Sequence, residues 1–360
     1  MQHPAAEHDL RDPHGPYDPY QPPPKATTLA EVARHAGVSP STVSCVINGK
    51  RNISPPTRLR VQAAIDELGY LPHAGARALA SSKSRIVALA VPLRADLYVP
   101  AMMQIAIAVT TAARRHDHDV LLITNHEGPE GIRRVAGTGL ADAVILMDVE
   151  LHDERIAVLR ELGVAASLIG LPADPEGLPC VDLDFAAAGA LAADHLADLG
   201  HRQVAFIGMG EGVYRRRTGF AERTRSGFED RCRERGLRAI HRPCDSTYDG
   251  AAGVLARVFE DRPGTTALVV QNEAMIGPLL GLLRSSGREV PQDVSVLAIG
   301  PDEPAARQSS PRLTSIGLPA HDLGHRAVEL VLGENAGEPG VIMLPPRLAV
   351  WESTAEPPGG

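Results

Sequence analysis

The chain has 360 residues, of which 44% are hydrophobic and 22% charged, and its formal net charge at pH 7 is −8. This length predicts two or three compact units, and the composition is typical of soluble globular proteins. No apolar run approaches the roughly 20 residues that span a bilayer, and residues 1–25 lack the basic and apolar regions of a secretion signal, so we expect a cytoplasmic protein.

The charge is unevenly distributed along the chain. Between Ala26 and Arg85 there are eight Lys and Arg residues against three acidic ones, a local net charge of +5 that leaves −13 for the remainder. Such a segment favours a module that binds a polyanion, although a solvated charged surface accounts for the charge equally well.

Three short helices are predicted in this basic segment, after a Pro-rich tail (1–25) that we expect to be disordered. A capping box, Thr-Leu-Ala-Glu, begins the first helix (28–36). A Ser-Pro step begins the second (39–47), and Ser-Pro-Pro begins the third (54–69). The tight connection between the first two helices predicts a helix-turn-helix unit.

Beyond an Ala-rich segment at 71–84, which predicts a hinge, short apolar runs alternate with helical patterns. Predicted strands lie at 86–92, 118–124, 142–148, 165–171, 203–209, 267–272 and 294–300. Predicted helices lie at 100–115, 151–162, 186–199, 221–236, 249–260 and 274–287. This alternation predicts an α/β body of two doubly wound parallel sheets, with a ligand at the carboxyl ends of the strands.

The segment "TTLAEVARHAGVSPSTVSCVINGKRNISPPTRLRVQAAIDELGYLPHAGARALASSKS" resembles the DNA-binding head and hinge of the LacI/GalR family of bacterial transcription regulators. Body phrases such as "DHLADLGHRQVAFIGMG" and "SPRLTSIGLP" extend the resemblance to most of residues 26–354. It implies a body like the type I periplasmic binding proteins and a homodimer that binds a pseudo-palindromic operator in double-stranded DNA. The implied function is a repressor controlled by a small-molecule effector, not an enzyme.

The resemblance also implies the domain extents. We expect a helix-turn-helix domain at 26–72, a hinge helix at 73–84, a body at 85–354 and a tail at 355–360. The first subdomain of the body would comprise 85–183 and 317–338, and the second 184–316 and 339–354. The three crossovers between them would lie near Asp184, Ser315–Leu318 and Ala336–Val341.

In the head, the resemblance implies base contacts by Pro40, Ser41 and Cys45, and contacts to the DNA backbone by Thr28, Thr42, Ser44, Asn48 and Thr57. Cys45 departs from the family, which commonly has Arg there. Because Arg pairs with guanine and Cys cannot, we expect a different target sequence. A redox-sensing thiol and a small residue that tolerates another base both remain open. In the hinge, Leu79 would wedge into the minor groove beside Arg77, and His73 replaces the usual Asn.

The effector site is expected in the cleft between the subdomains, and its ligand to be a sugar or related metabolite with no other cofactor. The candidate residues are Arg94, Asp96, Tyr98, Thr224, Arg225, Glu273 and Asp302. Thr224 stands where a ligand-binding Arg is usual, and Arg225 is the expected substitute. Glu273 replaces the family's Asp and lengthens its reach by a methylene.

Other classes of function have weaker support. A cytosolic sugar-binding protein without regulatory DNA binding would share the body but not the basic head. An enzyme would need a catalytic constellation, and no GxSxG elbow or complete GxGxxG loop is present. The cysteines have no CxxC spacing, so we expect reduced thiols at Cys45, Cys180, Cys232 and Cys244. The sequence His-Asp-His-Asp (116–119) is expected in a loop, so we expect no metal site there.

Overall fold

The computed structural model describes residues 27–48, 53–70, 83–91, 94, 96, 98–124 and 128–358. The chain divides into two compact units, with the boundary in the sequence between Ser82 and Lys83. The first is a small helical head and the second a larger α/β body. Within the described part of the chain, no helix is long and apolar enough to cross a bilayer.

The head contains the three predicted helices: α1 (Leu29–Ala36), α2 (Pro40–Asn48) and α3 (Pro55–Glu67). The capping box is present, because the Thr28 hydroxyl accepts from the Glu31 N–H while the Glu31 carboxylate accepts from the Thr28 N–H. Gly37 ends α1 in the left-handed region, at φ 64°. The sequence features that predicted these helices are therefore the ones at which the helices begin and end.

The head is held together by a small apolar core to which all three helices contribute. Its buried members include Val32 from α1, Val43 from α2 and Val61 from α3, each with no exposed surface, and Tyr70. A hydrogen bond of 2.7 Å between His35 and Glu67 joins α1 to α3 at the surface. The core thus fixes the angle at which α2 stands on the head.

The first lobe of the body is built on an all-parallel sheet. Its strand order is β11-β5-β4-β3-β1-β2. The strands are β1 (Ile86–Ala90), β2 (Asp119–Ile123), β3 (Ala143–Leu146), β4 (Ala165–Ile169), β5 (Cys180–Leu183) and β11 (Val341–Leu344). The helices around it are α4 (Val99–Arg115), α5 (Pro129–Ala136), α6 (Glu154–Leu162) and α13 (Ala320–Leu332).

The second lobe repeats this plan with the order β12-β10-β9-β8-β6-β7, in which only β12 runs antiparallel. Its strands are β6 (Gln203–Gly208), β7 (Arg238–Pro243), β8 (Ala267–Val270), β9 (Ser295–Gly300), β10 (Thr314–Gly317) and β12 (Leu348–Ala349). Its α-helices are α7 (Phe185–Asp198), α8 (Glu211–Arg215), α9 (Gly219–Arg235), α10 (Tyr248–Asp261), α11 (Ile276–Ser285) and α12 (Glu303–Gln308), and a 3₁₀ turn covers Glu273–Met275.

Both sheets are covered by apolar layers on their two faces. In β1, Val87 and Leu89 belong to one core while Ala88 and Ala90 belong to the other. The strands of the second lobe divide in the same way between two further cores. A sheet buried on both faces needs continuous apolar strands, which is why β1, β3, β6, β8 and β9 were visible in the sequence.

Helices α7 and α9 of the second lobe approach each other closely because each has a glycine at the contact. A Cβ on Gly227 would lie 2.0 Å from the carbonyl oxygen of Ala186, and one on Gly189 would lie 2.2 Å from that of Thr224. No side chain fits at either position, so this close packing fixes the place of α9 in the lobe.

The start of the body is held to the first sheet by a half-buried carboxylate. Asp142, which precedes β3, accepts hydrogen bonds from the Ser84 N–H at 2.7 Å, the Ser84 hydroxyl at 2.9 Å and the Arg85 N–H at 2.9 Å. Burial alone would raise the pKa of Asp142, but these donors hold it below its usual value. The residues that directly follow the hinge segment are thereby tied to the first sheet.

The chain crosses between the lobes three times. It leaves the first sheet after β5 and returns after β10, because α13 packs on the first sheet. The third crossover lies a few residues beyond the expected Ala336–Val341, since β11 pairs with β5 and the chain crosses only after Leu344. Residues 341–344 therefore belong to the first lobe, not to the second as the expected span 339–354 implied.

Candidate functional site

The N-terminus of α2 presents small polar side chains to solvent. The Ser39 hydroxyl accepts from the Thr42 N–H at 3.2 Å and lies 2.8 Å from the hydroxyls of both Ser41 and Thr42. Pro40 and Ser41 are exposed. A helix start with exposed small residues has the shape to enter a DNA major groove and the partial positive charge to approach phosphate.

The other expected DNA-contacting residues of the head are distributed over its three helices. Cys45 is a free thiol, half-buried on α2. Thr42, Ser44 and Thr57 are also half-buried, and the Thr57 hydroxyl lies 2.9 Å from that of Ser54. Thr28 is exposed, with its hydroxyl engaged in the capping box. The Asn48 side chain and the hinge residues His73, Arg77 and Leu79 lie outside the described residues.

The body contains a cavity between its lobes, at the carboxyl ends of the parallel strands. Its volume is about 1020 Å³, including the solvent at its mouth. Apolar side chains make up most of the lining, among them Phe185 and Phe220, whose ring centroids are 5.6 Å apart. The polar side chains that line it are Asp96, Tyr98, Asp148, Asp182, Arg216, Gln271 and Glu273. A mostly apolar cavity with few polar groups is typical of small-molecule sites.

A network of ion pairs closes one side of the cavity and joins the two lobes. Arg216, from the second lobe, donates to Asp96 of the first at 2.9 Å, and its Nε lies 3.8 Å from Glu150. Arg94 pairs with Asp148 at 2.7 Å and with Glu150 at 3.2 Å. Burial raises the pKa values of Asp148 and Glu150, and the arginines oppose that rise. The network therefore neutralises these carboxylates internally.

Two further carboxylates in the lining have no ion pair within the described residues. Asp182, only 3% exposed, accepts from the Leu183 N–H at 3.0 Å through Oδ1, while its Oδ2 has no partner. Glu273 lies beside Gly300, where a Cβ would stand 2.9 Å from Glu273 Oε2. Burial raises the pKa of each to about 7, helped at Glu273 by the negative charge of Asp302 and opposed at Asp182 by Arg223. Each of these carboxyl groups therefore exchanges its proton near neutral pH.

Gln271 adds a third acceptor. Its amide nitrogen donates to the Thr224 hydroxyl at 2.7 Å, and that hydroxyl in turn donates to the Phe220 carbonyl at 2.8 Å. The Gln271 Oε1 is buried without a partner. Thr224 thus fixes the amide so that its oxygen, not its nitrogen, is available.

Comparison with known proteins identifies the chain's relatives. Residues 28–73 match the lacI family of bacterial regulatory proteins, and residues 193–354 match the periplasmic binding protein-like domain. The transcriptional regulator CelR of Thermobifida fusca is 32% identical over 343 residues, which cover 91% of this chain and 98% of the relative. The chain belongs to the LacI family.

Solved structures of LacI-family regulators have the same fold. A CelR–cellobiose complex is 29% identical with a TM-score of 0.65, over 91% of this chain and 99% of the other. A Lac repressor dimer bound to operator and the anti-inducer ONPF is 25% identical with a TM-score of 0.80, over 92% and 100%. The expected fold and family are confirmed, and the chain is a DNA-binding transcriptional regulator.

In this LacI-family body, some of the expected effector residues line the cavity and others do not. Asp96, Tyr98 and Glu273 line it. Arg94 lies behind Asp148, and Thr224 lies behind Gln271. Asp302 caps α12 and accepts from Gln104 at 3.2 Å, outside the lining.

The expected substitute arginine, Arg225, does not line the cavity either. It pairs with Glu222 at 2.5 Å, and its guanidinium lies 5.1 Å from the centre of the Tyr214 ring. Arg216 is the arginine in the lining instead.

Sequence reasoning missed four polar residues of the lining, Asp148, Asp182, Arg216 and Gln271. Asp148 is the last residue of a predicted strand (142–148), which was a usable signal. Gln271 lies near the end of the predicted strand 267–272, two residues before the expected Glu273, so its position was also a usable signal. Asp182 interrupts the short apolar run of β5, and Arg216 belongs to no motif, so neither position had a signal. Within the described residues, no group of three or more His, Cys, Asp or Glu side chains has metal-binding geometry.

Proposed function

We propose that this LacI-family regulator is a repressor that binds a pseudo-palindromic operator as a homodimer and is released or recruited by a small molecule in the cavity between its lobes. The observation that carries the proposal is the presence in one chain of a helix-turn-helix head, with a polar α2 start, and of a cavity between the two lobes of the body. The similar Lac repressor structure is a dimer on operator DNA.

In the head, Pro40, Ser41 and Cys45 would contact base edges. The exposure of Pro40 and Ser41 supports this assignment. Cys45 offers a weak donor and an apolar surface, which suits a base other than the guanine that Arg selects. Contacts to the DNA backbone would come from Thr28, Thr42, Ser44, Asn48 and Thr57, and hinge contacts to the minor groove from His73, Arg77 and Leu79.

In the body, the effector would be a sugar or related metabolite. The similar CelR structure holds cellobiose. Polar contacts such as that of Arg216 with Asp96 cross the cavity wall between the lobes. A ligand that changes these contacts changes the relative orientation of the lobes, and through them the start of the body at Ser84. This couples ligand affinity to DNA affinity, and the coupling must be reciprocal.

The proposal includes a cytoplasmic location, where operator DNA is found, and no catalytic role. It also includes the domain extents 26–72 for the head, 73–84 for the hinge and 85–354 for the body.

A gel shift with DNA from upstream of the protein's own gene tests the function. We expect specific retention by the full chain, with the logarithm of affinity falling linearly against the logarithm of salt concentration as phosphate contacts release counterions. If the chain binds small molecules but retains no duplex at any salt concentration, the result would instead support a binding protein without DNA-linked regulation.

A further inference from the structure

The cavity is unbalanced in its hydrogen-bonding groups. Its lining contains four carboxylates, from Asp96, Asp148, Asp182 and Glu273, but only one guanidinium, from Arg216. Asp96 and Asp148 are neutralised by arginines at 2.9 and 2.7 Å. The hydrogen-bonding groups that are free to bind a ligand are therefore those of the other polar residues in the lining.

Apart from the Tyr98 hydroxyl, which can donate or accept, the remaining uncharged-donor positions are few and the free groups are acceptors. Asp182 Oδ2 and Gln271 Oε1 are buried without partners, on side chains that are 3% and 5% exposed. The Glu273 carboxylate has no hydrogen bond or ion pair in the described part of the chain, and the negative Asp302 acts on it. The unpartnered donor among the lining groups, Arg216 Nε, faces Glu150 at 3.8 Å. Unpaired buried acceptors cost roughly 1–3 kcal/mol each until a donor arrives.

This pattern distinguishes between classes of ligand. An acidic ligand would meet uncompensated carboxylates and is disfavoured. A neutral sugar can donate its hydroxyl groups to these acceptors, but it brings no positive charge to the Glu273 carboxylate. A ligand with a cationic amine and several hydroxyl donors satisfies the acceptors, while its apolar face packs against side chains such as Phe185 and Phe220.

We propose that the effector of this cavity is an amino sugar or a related amine-bearing metabolite, whose ammonium group pairs with Glu273 beside Tyr98 and whose hydroxyl groups donate to Asp182 and Gln271. Glu273 is the favoured partner of the ammonium group because no cation among the described residues compensates it, whereas Arg223 compensates part of the charge of Asp182. The proposal rests on the proposed function, of which it specifies the ligand.

Calorimetry and thermal shift of the full chain with matched sugars test it at pH 7.5. The panel pairs glucosamine, galactosamine, mannosamine and deacetylated chitobiose with glucose, galactose, mannose and cellobiose, and adds glucuronic and galacturonic acids. We expect at least one amine to bind tenfold or more tightly than its neutral counterpart, and the acids not to bind. A neutral sugar that binds as tightly as its amine, or failure of every amine in the panel, would overturn the proposal.

Two variants of Glu273 refine the test. Glu273→Gln should weaken binding of the amine tenfold or more, while Glu273→Asp, which keeps the charge, should retain most of it. Equal binding by wild type and Glu273→Gln would contradict the pairing, and melting temperatures without ligand establish that each variant folds. Retention of operator DNA is measured in parallel, so that an error about the ligand is distinguished from an error about the regulator.

The pH dependence gives an independent readout. Because burial and Asp302 raise the pKa of Glu273 to about 7, the wild-type site should lose a proton when an amine binds near neutral pH. The amino group of a hexosamine itself titrates at roughly pH 7.5–8, as α-amino groups do, so each affinity is corrected for the protonated fraction of the free ligand. The corrected affinity should rise between pH 6 and 7.5, and the rise should be smaller in Glu273→Gln. The other groups near the carboxylate are Tyr98 and Asp302. A corrected affinity that is constant over this range would contradict the pairing of the ammonium group with Glu273.

Discussion

Replacing Asp182 by Asn should remove a loss of stability that the wild-type chain undergoes as the pH rises. Burial raises the pKa of Asp182 from 3.8 to about 7. The folded state therefore keeps this proton up to about pH 7, whereas the unfolded state has lost it well below pH 5. A carboxyl with a raised pKa stabilises the fold most at low pH, and this stability is lost as the pH rises through about 7.

The magnitude follows from the width of this pH window. Each pKa unit corresponds to about 1.4 kcal/mol, so the two units between pH 5 and pH 7 correspond to a loss of about 3 kcal/mol in the wild type. Asn is neutral throughout and lacks this loss. Its amide introduces donors at the place of Oδ2, with a penalty of roughly 1–3 kcal/mol, but that penalty does not depend on pH and cancels when the two pH values are compared.

The assay is thermal unfolding of the full chain at pH 5 and pH 8. At roughly 2–4 °C per kcal/mol, Asp182→Asn should melt about 6–12 °C higher, relative to wild type, at pH 8 than at pH 5. Asp249→Asn, an exposed aspartate in the first turn of α10, is the matched control and should show no such difference. Melting curves of Asp182→Asn that follow those of wild type in parallel from pH 5 to pH 8 would refute the reasoning.

Three further predictions test other parts of the molecule. Cys45→Arg should create a preference for guanine at one position of each half-site, worth roughly 1–3 kcal/mol in competition gel shifts, and an unchanged preference would contradict the base contact. Asp142→Asn should lower the free energy of unfolding by roughly 1–3 kcal/mol at pH 7. This loss should shrink below pH 4, because the hydrogen bonds that lower the pKa of Asp142 stabilise the fold only while the carboxylate is charged. A loss independent of pH would count against the role of the charged Asp142 in holding Ser84 and Arg85. Gly227→Ala, whose Cβ would lie 2.0 Å from a carbonyl oxygen of α7, should destabilise the chain by more than about 1 kcal/mol in urea unfolding. Gly253→Ala is the control, because a Cβ there would have no atom within 4 Å, and it should stabilise the chain by up to about 1 kcal/mol. Similar effects of both substitutions would contradict the close packing of α7 and α9.

The fold was predictable where its signals are local. The capping box at Thr28, the Ser39–Pro40 helix start and the left-handed Gly37 each act within a few residues, and the head has the predicted helices. The central strands of both sheets were predicted because burial on both faces demands continuous apolar runs.

The missed strands lacked that signal. Strand β7 is an edge strand with two arginines and a histidine, all partly solvated, and β11 is a half-exposed edge of the first sheet. Because β11 was not predicted, the third crossover was placed too early. Which sheet a late strand joins depends on tertiary pairing, and four residues of sequence do not encode it.

The residues of the cavity were predictable only where they follow predicted strands. Asp96, Tyr98 and Glu273 follow predicted strands, so topology brings them to one edge of the sheets. Arg216 reaches the cavity from the end of α8, whereas Arg225 pairs with Glu222 and does not line the cavity. Which arginine enters the lining depends on side-chain packing and does not follow from the spacing of residues in the sequence. Asp182 lies within a strand that was not predicted.

The most direct test of the account is selection of random DNA duplexes by the full chain, followed by sequencing. The account holds that the start of α2, in two heads related by twofold symmetry, contacts the bases of two half-sites. It predicts enrichment of a pseudo-palindrome, which Ser41→Ala should weaken while affinity for unrelated duplexes is kept. Recovery of unenriched sequences by the wild-type chain, or of a single half-site without a symmetric partner, would contradict it.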